Sequence, residues 1–344
     1  MTGETVPAEM LVPRFLGRGE IDFVPRPVQE PGREQLLIRT EANALCGSER
    51  GQFFDGSKVT PGHEAAGVVV VTGPETRTAA GTRGVIYLME FCGECRSCAL
   101  GFTNQCTNKR GDVGFNKDGG YGPYVLINEN VFFPTGGDVP LAEATMLLDV
   151  MGTTGHAIRR GLRLREDVRS LGIAGAGPVG LGALAMARML LGSEVTVVIS
   201  DLSPYRLDLA GRLGGKTIDL REKTLAEGLR EHGLDEVDLA IDTSGKGAAR
   251  QSYLDILSKR GALVCAGHGE GLSLDVSRDL IAPERAVLGS EYFRYDELSS
   301  NLQILRDYLP YLGQIITHRF ALQDIQEAFE IFWRGETGKV LVEQ

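Results

Sequence analysis

The sequence predicts an α/β protein in which a doubly wound parallel sheet is inserted between two pieces of a β-rich domain. Three observations predict it. Between about residues 170 and 290, short apolar runs alternate with helical ones, as parallel strands joined by crossover helices do. A glycine-rich turn, Gly175-Ala176-Gly177-Pro178-Val179-Gly180, stands between the first such strand and its helix. Before residue 152 and again after about 293, the chain has a different, β-rich character.

In chain order, Leu36–Thr40 and Gly67–Thr72 are rich in Val, Leu and Ile between glycine or proline signals, as strands are. The alternating region reads as strand Ser170–Ala174, helix Val179–Leu191, strand Val195–Ser200 and helix Pro204–Arg212. It continues through strand Val237–Asp242, a helix near Ala248–Leu257, and strands Ala262–Gly267 and Ala286–Leu288. In the tail, Leu322, Ile325, Ala328 and Phe329 recur at helical spacing before a strand-like Lys339–Val342. The domains expected are 1–152, 153–292 and a return over 293–344, with no internal repeat.

Composition narrows the function. Lys and Arg number 36 against 46 Asp and Glu, a net charge of −10 that argues against nucleic acid and anionic membranes as partners. A small molecule fits better. Glu4, Glu9 and Pro13 interrupt the N-terminus, so it reads as no signal peptide, and a cytoplasmic protein is expected. The uncharged stretch Leu171–Ala187 is short of the roughly 20 residues of a membrane span and carries Gly175, Gly177, Pro178, Gly180 and Gly182.

Six cysteines in such a chain are not expected to form a disulfide framework. Cys92, Cys95, Cys98 and Cys106 are spaced C-x2-C-x2-C-x7-C, which lets four thiolates converge on one tetrahedral metal with no open position. Such a site is structural. Zinc is the expected metal, with an iron–sulfur cluster or unligated thiols as the alternatives. A second constellation pairs Cys46, in Leu45-Cys46-Gly47-Ser48-Glu49, with His63, in Gly62-His63-Glu64-Ala65. One thiolate, one imidazole and one further ligand would leave zinc the open position that catalysis needs.

With these motifs the chain resembles the zinc-containing medium-chain dehydrogenase/reductase (alcohol dehydrogenase) family over essentially its whole length. The resemblance implies a GroES-like catalytic domain, a Rossmann cofactor domain, NAD, and one catalytic and one structural zinc. It implies Cys46 and His63 as catalytic-zinc ligands, with Asp149 or its rival Glu64 as the third, and Ser48 as the hydroxyl that passes the alcohol proton on. There are two departures from the family pattern. Glu49 replaces the usual Asp that orients the zinc-ligating His, so a longer side chain must make that contact. Gly51 replaces the His that ends the usual proton relay, which leaves Ser48, the cofactor ribose and water.

For the cofactor, Gly175, Gly177, Pro178, Val179 and Gly180 allow a tight turn and a close approach to pyrophosphate at a helix N-terminus. Asp201 ends the next strand 21 residues after Gly180. There it would accept bonds from the adenosine ribose and repel a 2′-phosphate, favouring NAD over NADP. The resemblance adds Arg206 near that ribose, Thr153 against the nicotinamide and Lys339 towards the pyrophosphate.

Within the family the chain is most similar to polyol dehydrogenases of the sorbitol type, on Leu148-Asp149, Gly155-His156-Ala157-Ile158-Arg159-Arg160-Gly161, Phe293-Arg294-Tyr295 and Thr317-His318-Arg319-Phe320. This implies that Arg294 meets substrate hydroxyls; a structural ion pair at a domain junction is the competing reading. The activity expected is NAD-linked oxidation of a secondary alcohol, a polyol, cyclitol or sugar. The alternatives are a threonine- or amino-sugar-type dehydrogenase, a biosynthetic ketone reductase, or an NAD-binding protein without turnover. Pairing through the edge strand near Ala286–Tyr292 would give a homodimer or homotetramer. His156, His232, His268 and His318 read as structural or surface residues, and Cys265 as a buried strand residue.

Overall fold

The computed structural model describes residues 5–344; Glu4, one of the residues that breaks the N-terminal stretch, lies outside them. Six strands form a parallel sheet in the spatial order Lys216–Asp219, Thr196–Asp201, Ser170–Ala174, Val237–Asp242, Leu257–Cys265 and Ala286–Gly289. This is the doubly wound order, with its switch point beside Ser170–Ala174. Every residue of Ser170–Ala174 is buried, because helices cover both faces of the sheet. Leu171 and Ile173 are wholly inaccessible. Burying such side chains contributes about 1.5–3 kcal/mol each.

A second, mixed sheet is built around Gln35–Ala44, which pairs antiparallel with Ala65–Thr72, Tyr124–Asn128 and Lys339–Glu343. Ile316–Ala321 then pairs parallel with Lys339–Glu343. Residues after the parallel sheet therefore complete the sheet that precedes it. One apolar core runs through the junction, from Ile38 and Val85 through Leu148 and Met151 to Leu171 and Leu181. Among the described residues no helix is long and apolar enough to cross a membrane.

The fold contains more than periodicity showed. The strand Lys216–Asp219 has only Ile218 fully buried, so as an edge strand it carries little hydrophobic signal. A hairpin also pairs Glu9–Gly17 antiparallel with Glu20–Pro27. Helix Glu297–Leu312 is interrupted near Tyr308, ahead of Pro310, a residue that ordinarily ends a helix. The expected helix Ala248–Leu257 spans Gly247–Asp255, since Leu257 already begins the next strand.

Candidate active site and metal centres

Cys46 follows the central strand and precedes a tight turn, Gly47–Glu49. Three residues on, Glu49 Oε2 accepts the Cys46 N–H at 3.2 Å, a capping interaction that holds the cysteine at the helix entrance. His63 and Glu64 immediately precede Ala65–Thr72, and the Glu64 carbonyl accepts from Ala44 N at 3.0 Å. Asp149 opens a π-helical turn, Asp149–Thr153, that leads into helix Thr154–Leu162. Such turns recur at functional sites because they re-aim one side chain.

These elements bring Cys46, His63, Glu64 and Asp149 together, with ligand atoms all within 4.8 Å of one another and all four residues buried. Asp149 Oδ2 stands 3.0 Å from Cys46 Sγ and 3.3 Å from His63 Nε2. The exposed Ser48 places its hydroxyl 3.4 Å from His63 Nε2. Thr153 Oγ1 donates to Asp149 Oδ1 at 3.3 Å. The ring of Phe115 lies over that of His63, centroids 4.8 Å apart.

Glu49 makes the contact that its extra methylene left in question. Wholly buried, it sets Oε1 3.2 Å from His63 Nδ1, while Tyr121 donates its hydroxyl to Oε2 at 3.0 Å. A buried carboxylate on the far nitrogen fixes the imidazole's orientation and leaves Nε2 for the cluster. Tyr121, also buried, went unnoticed in the sequence, since nothing near it repeats or matches a motif.

Electrostatics show what the cluster lacks. Burial pushes the Cys46 thiol up, with the Asp149 charge adding to it. Burial works against the His63 imidazolium, yet hydrogen bonds to Asp149, Cys46 and Glu49 raise it well above the ordinary value. Burial would raise Asp149, but the hydrogen bond and charge of His63, the charge of Lys339 and the hydrogen bond of Cys46 together outweigh it and hold the carboxyl low. Burial lifts Glu64 to about 8 against the opposing pull of Lys339. Glu64 Oε2 is buried without a hydrogen-bond partner. A thiol, an imidazole and two carboxylates in this space, one oxygen orphaned, fit a divalent metal that would displace the protons now holding them.

Lys339 was expected to reach towards the pyrophosphate. Instead it is fully buried, with Nζ bonded to Glu64 Oε1 and to the Leu45 carbonyl at 3.0 Å. Arg294 was expected to meet substrate hydroxyls, but its fork is filled. Nε lies 3.0 Å from Asp296 Oδ1 and from the Gly101 carbonyl, and the guanidinium sits over Phe102, 5.1 Å from the ring centroid. That is the competing reading, a structural contact with the four-cysteine lobe.

In the lobe, Cys92, Cys95, Cys98 and Cys106 also lie within 4.8 Å of one another. Backbone N–H groups already point at their sulfurs, Cys92 N to Cys106 Sγ and Cys95 N to Cys92 Sγ, both at 3.3 Å. Backbone donors from Cys98 and Thr107 pull the Cys95 thiol down to about 5, while burial sends Cys98 up to about 12. Four free thiols so arranged fit a closed tetrahedral zinc shell.

At the nucleotide end, Gly175 has φ +93°, a conformation open to glycine, and a Cβ on Gly180 would overlap the Gly175 carbonyl. Helix Pro178–Leu191 starts there, its Pro178 at a position where the missing N–H costs nothing. Val179 follows in that first turn. Asp201 Oδ2 accepts from Ala176 N at 2.5 Å, and Oδ1 from Leu202 and Ser203 N at 2.7 and 2.8 Å. It ties the glycine turn to its own strand end. Ser203, not Asp201, caps the following helix. Arg206 donates to the Thr337 carbonyl at 3.3 Å; burial lowers its guanidinium, and the nearby Asp201 opposes that.

Two features were not legible in sequence. Tyr292, buried with φ +44°, is a strained non-glycine residue that packs on Tyr87 and Phe293 and whose hydroxyl burial pushes well up. A cleft of about 520 Å³ opens between the lobe, helix Thr154–Leu162 and the carboxyl ends of two parallel strands. Cys265 lines it and is half-buried, not a core strand residue.

Comparison with known proteins agrees with this geometry. Residues 32–137 match a family described as alcohol dehydrogenase GroES-like domain, and residues 178–307 one described as zinc-binding dehydrogenase. The chain is 30% identical over 93% of its length to an L-threonine 3-dehydrogenase of Shewanella frigidimarina, covering 95% of that protein. It is 27% identical to an uncharacterized zinc-type alcohol dehydrogenase-like protein of Escherichia coli, over 97% of this chain and 98% of that one. A crystal structure described as a zinc-binding dehydrogenase from Sinorhizobium meliloti, bound to NADP, superposes with a TM-score of 0.84 at 25% identity, covering 98% of this chain and all of that one. Zinc and a nicotinamide dinucleotide are the cofactors that go with these likenesses, and the chain belongs to the zinc-containing medium-chain dehydrogenase/reductase, or alcohol dehydrogenase, family.

Proposed function

We propose that the protein is a zinc-dependent, NAD-linked dehydrogenase of a secondary alcohol, a polyol or sugar. The observation that carries the reading is the buried set Cys46, His63 and Asp149 with the exposed Ser48 hydroxyl 3.4 Å from His63 Nε2. Zinc, when bound, supplies a Lewis acid that favours the ionised alcohol, from which hydride passes to the nicotinamide.

The chain's own residues do the rest. Cys46, His63 and Asp149 hold the metal, and Glu64 is the reserve ligand, its Oε2 free while Lys339 holds Oε1. Glu49 and Tyr121 keep the His63 ring in place. Ser48 accepts the alcohol proton at Oγ and, with Gly51 in place of a relay histidine, passes it to the cofactor ribose or to water. Gly175, Gly177 and Gly180 let the backbone approach the pyrophosphate, Asp201 and Arg206 flank the adenosine ribose, and Thr153 faces the nicotinamide. The negative charge of Asp201 supports NAD; the relative that binds NADP makes the direct comparison necessary.

A screen of secondary alcohols with NAD and zinc-loaded protein tests this reading. Turnover of polyols that Ser48→Ala reduces at least about a hundredfold is expected, the scale of a lost acid–base group. Cofactor and zinc binding without turnover of any alcohol would reject it. A threonine-type dehydrogenase is the second reading, favoured by the relative that is 30% identical over 93% of the chain. L-Threonine outperforming every polyol in the same screen would select it.

A further inference from the structure

We propose that Gly182 and Phe293 are positioning residues for Asp149: between them they grip the π-helical turn Asp149–Thr153 and so aim its carboxylate at the metal cluster. The inference rests on the zinc-dependent reading and deepens it by naming what places the third ligand.

Asp149 reaches the cluster by a different route from its companions. Cys46, His63 and Glu64 adjoin two paired strands, Gln35–Ala44 and Ala65–Thr72, whose ladder fixes them. Asp149 is carried by an irregular turn ahead of helix Thr154–Leu162. The winding of that turn is ambiguous in its own hydrogen bonds: the Leu148 carbonyl accepts from Gly152 N at 2.6 Å and from Thr153 N at 3.4 Å, one bond of α-helical reach and one of π-helical reach. Rewinding it by one residue would swing a side chain by about 100° round the axis. Such a swing would take Asp149 away from Cys46 and His63.

Two close approaches hold the winding. Gly182 lies inside helix Pro178–Leu191, and a Cβ added there would overlap the carbonyl oxygen of Val150, the residue after Asp149. A backbone oxygen cannot swing aside as a side-chain tip can. The helical backbone at Gly182 makes no demand for glycine, which costs about 1 kcal/mol relative to alanine in a helix interior. The approach to Val150 is what the missing side chain allows. The same carbonyl also accepts from Thr154 Oγ1 at 2.5 Å, so its direction is fixed twice. At the other end of the turn, Gly152 receives the ring of Phe293, which a Cβ on Gly152 would overlap. That ring is wholly buried and braced by Tyr87, edge to face at 5.3 Å, and by Tyr292 at 4.2 Å. With Val150 and Gly152 both seated, Asp149 Oδ2 stays 3.0 Å from Cys46 Sγ and 3.3 Å from His63 Nε2. Helix Pro178–Leu191 opens at the glycine turn, so the segment proposed to meet the dinucleotide packs directly on the one that carries a proposed metal ligand.

The test follows the metal and not turnover. In the full chain, with zinc kept in the four-cysteine lobe and cobalt(II) exchanged into the other site, the visible spectrum reports ligand type and geometry at that site. Asp149→Asn, which removes the charged ligand, supplies the reference change. Gly182→Ala is expected to reproduce that spectral change and to weaken the metal of this site about ten- to a hundredfold in chelator competition, with the lobe zinc retained. Phe293→Leu, which opens space where Gly182→Ala fills it, should do the same, and it carries the test if Gly182→Ala does not fold. Wild-type spectrum and affinity in both variants, while Asp149→Asn changes both, would overturn the positioning role alone. Weaker binding with an unchanged spectrum, or equal loss of the lobe zinc, is general loosening and overturns it too. Asp149→Asn without effect on spectrum or affinity rejects the ligand set of the proposed function, and the positioning role with it.

Discussion

Lys339 and Glu64, both wholly inaccessible to water, form an ion pair against the Cys46 cluster, and the same ammonium bonds the Leu45 carbonyl. The terminal strand is thereby fastened to the metal-binding loop of the first domain. A pair so buried survives because each charge neutralises the other, and removing one partner strands the second. Lys339→Met should cost about 3–5 kcal/mol of stability, whereas Lys339→Met with Glu64→Leu should recover most of the loss. Urea denaturation of the single and double variants, analysed as a cycle, measures this. A double variant no more stable than the single would show that the pair is not coupled.

Tyr121 and Glu49 hold the ring of His63, a zinc ligand in the proposed function, so their loss should be read in metal affinity. Tyr121→Phe and Glu49→Gln are each expected to weaken the catalytic zinc by about ten- to a hundredfold. Chelator competition should show this for one zinc per chain, with the four-cysteine zinc retained. Equal release of both metals would indicate general loosening and remove the positioning role.

Cys98→Ser should open the lobe's thiolate shell. One zinc per chain is expected to be lost and the thermal midpoint to fall, while the Cys46 cluster still binds metal. Elemental analysis combined with calorimetry decides it; retention of both metals would contradict a structural site at the four cysteines.

Asp201→Asn keeps an acceptor oxygen but removes the charge that would face a 2′-phosphate. The ratio of kcat/KM for NAD to that for NADP should fall about tenfold. An unchanged ratio would leave Asp201 with only its bonds to Ala176, Leu202 and Ser203.

What the sequence made legible was whatever is written as spacing. The four cysteines, the Cys46 and His63 motifs and the glycine turn with Asp201 could be found because local chain geometry demands those intervals. The parallel strands could be found because full burial makes them continuous apolar runs, as in Ser170–Ala174. Contacts made by distant segments left no such mark. Tyr121 reaches Glu49 from 72 positions away, and Lys339 reaches Glu64 from 275. Lys339, which resemblance directed towards the pyrophosphate, turns inwards to Glu64 instead, because the sheet closes over the start of its strand. Arg294 was misplaced for a related reason: its nearest acid, Asp296, and the lobe's Phe102 compete for the fork that resemblance assigned to substrate.

In the proposed function two sets of donors hold two zinc ions with different tasks. The most direct measurement is metal content by elemental analysis alongside NAD-coupled oxidation, for the wild-type chain and for Cys46→Ala. Two zinc ions per chain with turnover are expected in the wild type, and one zinc with no turnover in the variant. Iron in place of zinc, or full activity in Cys46→Ala, would contradict the account.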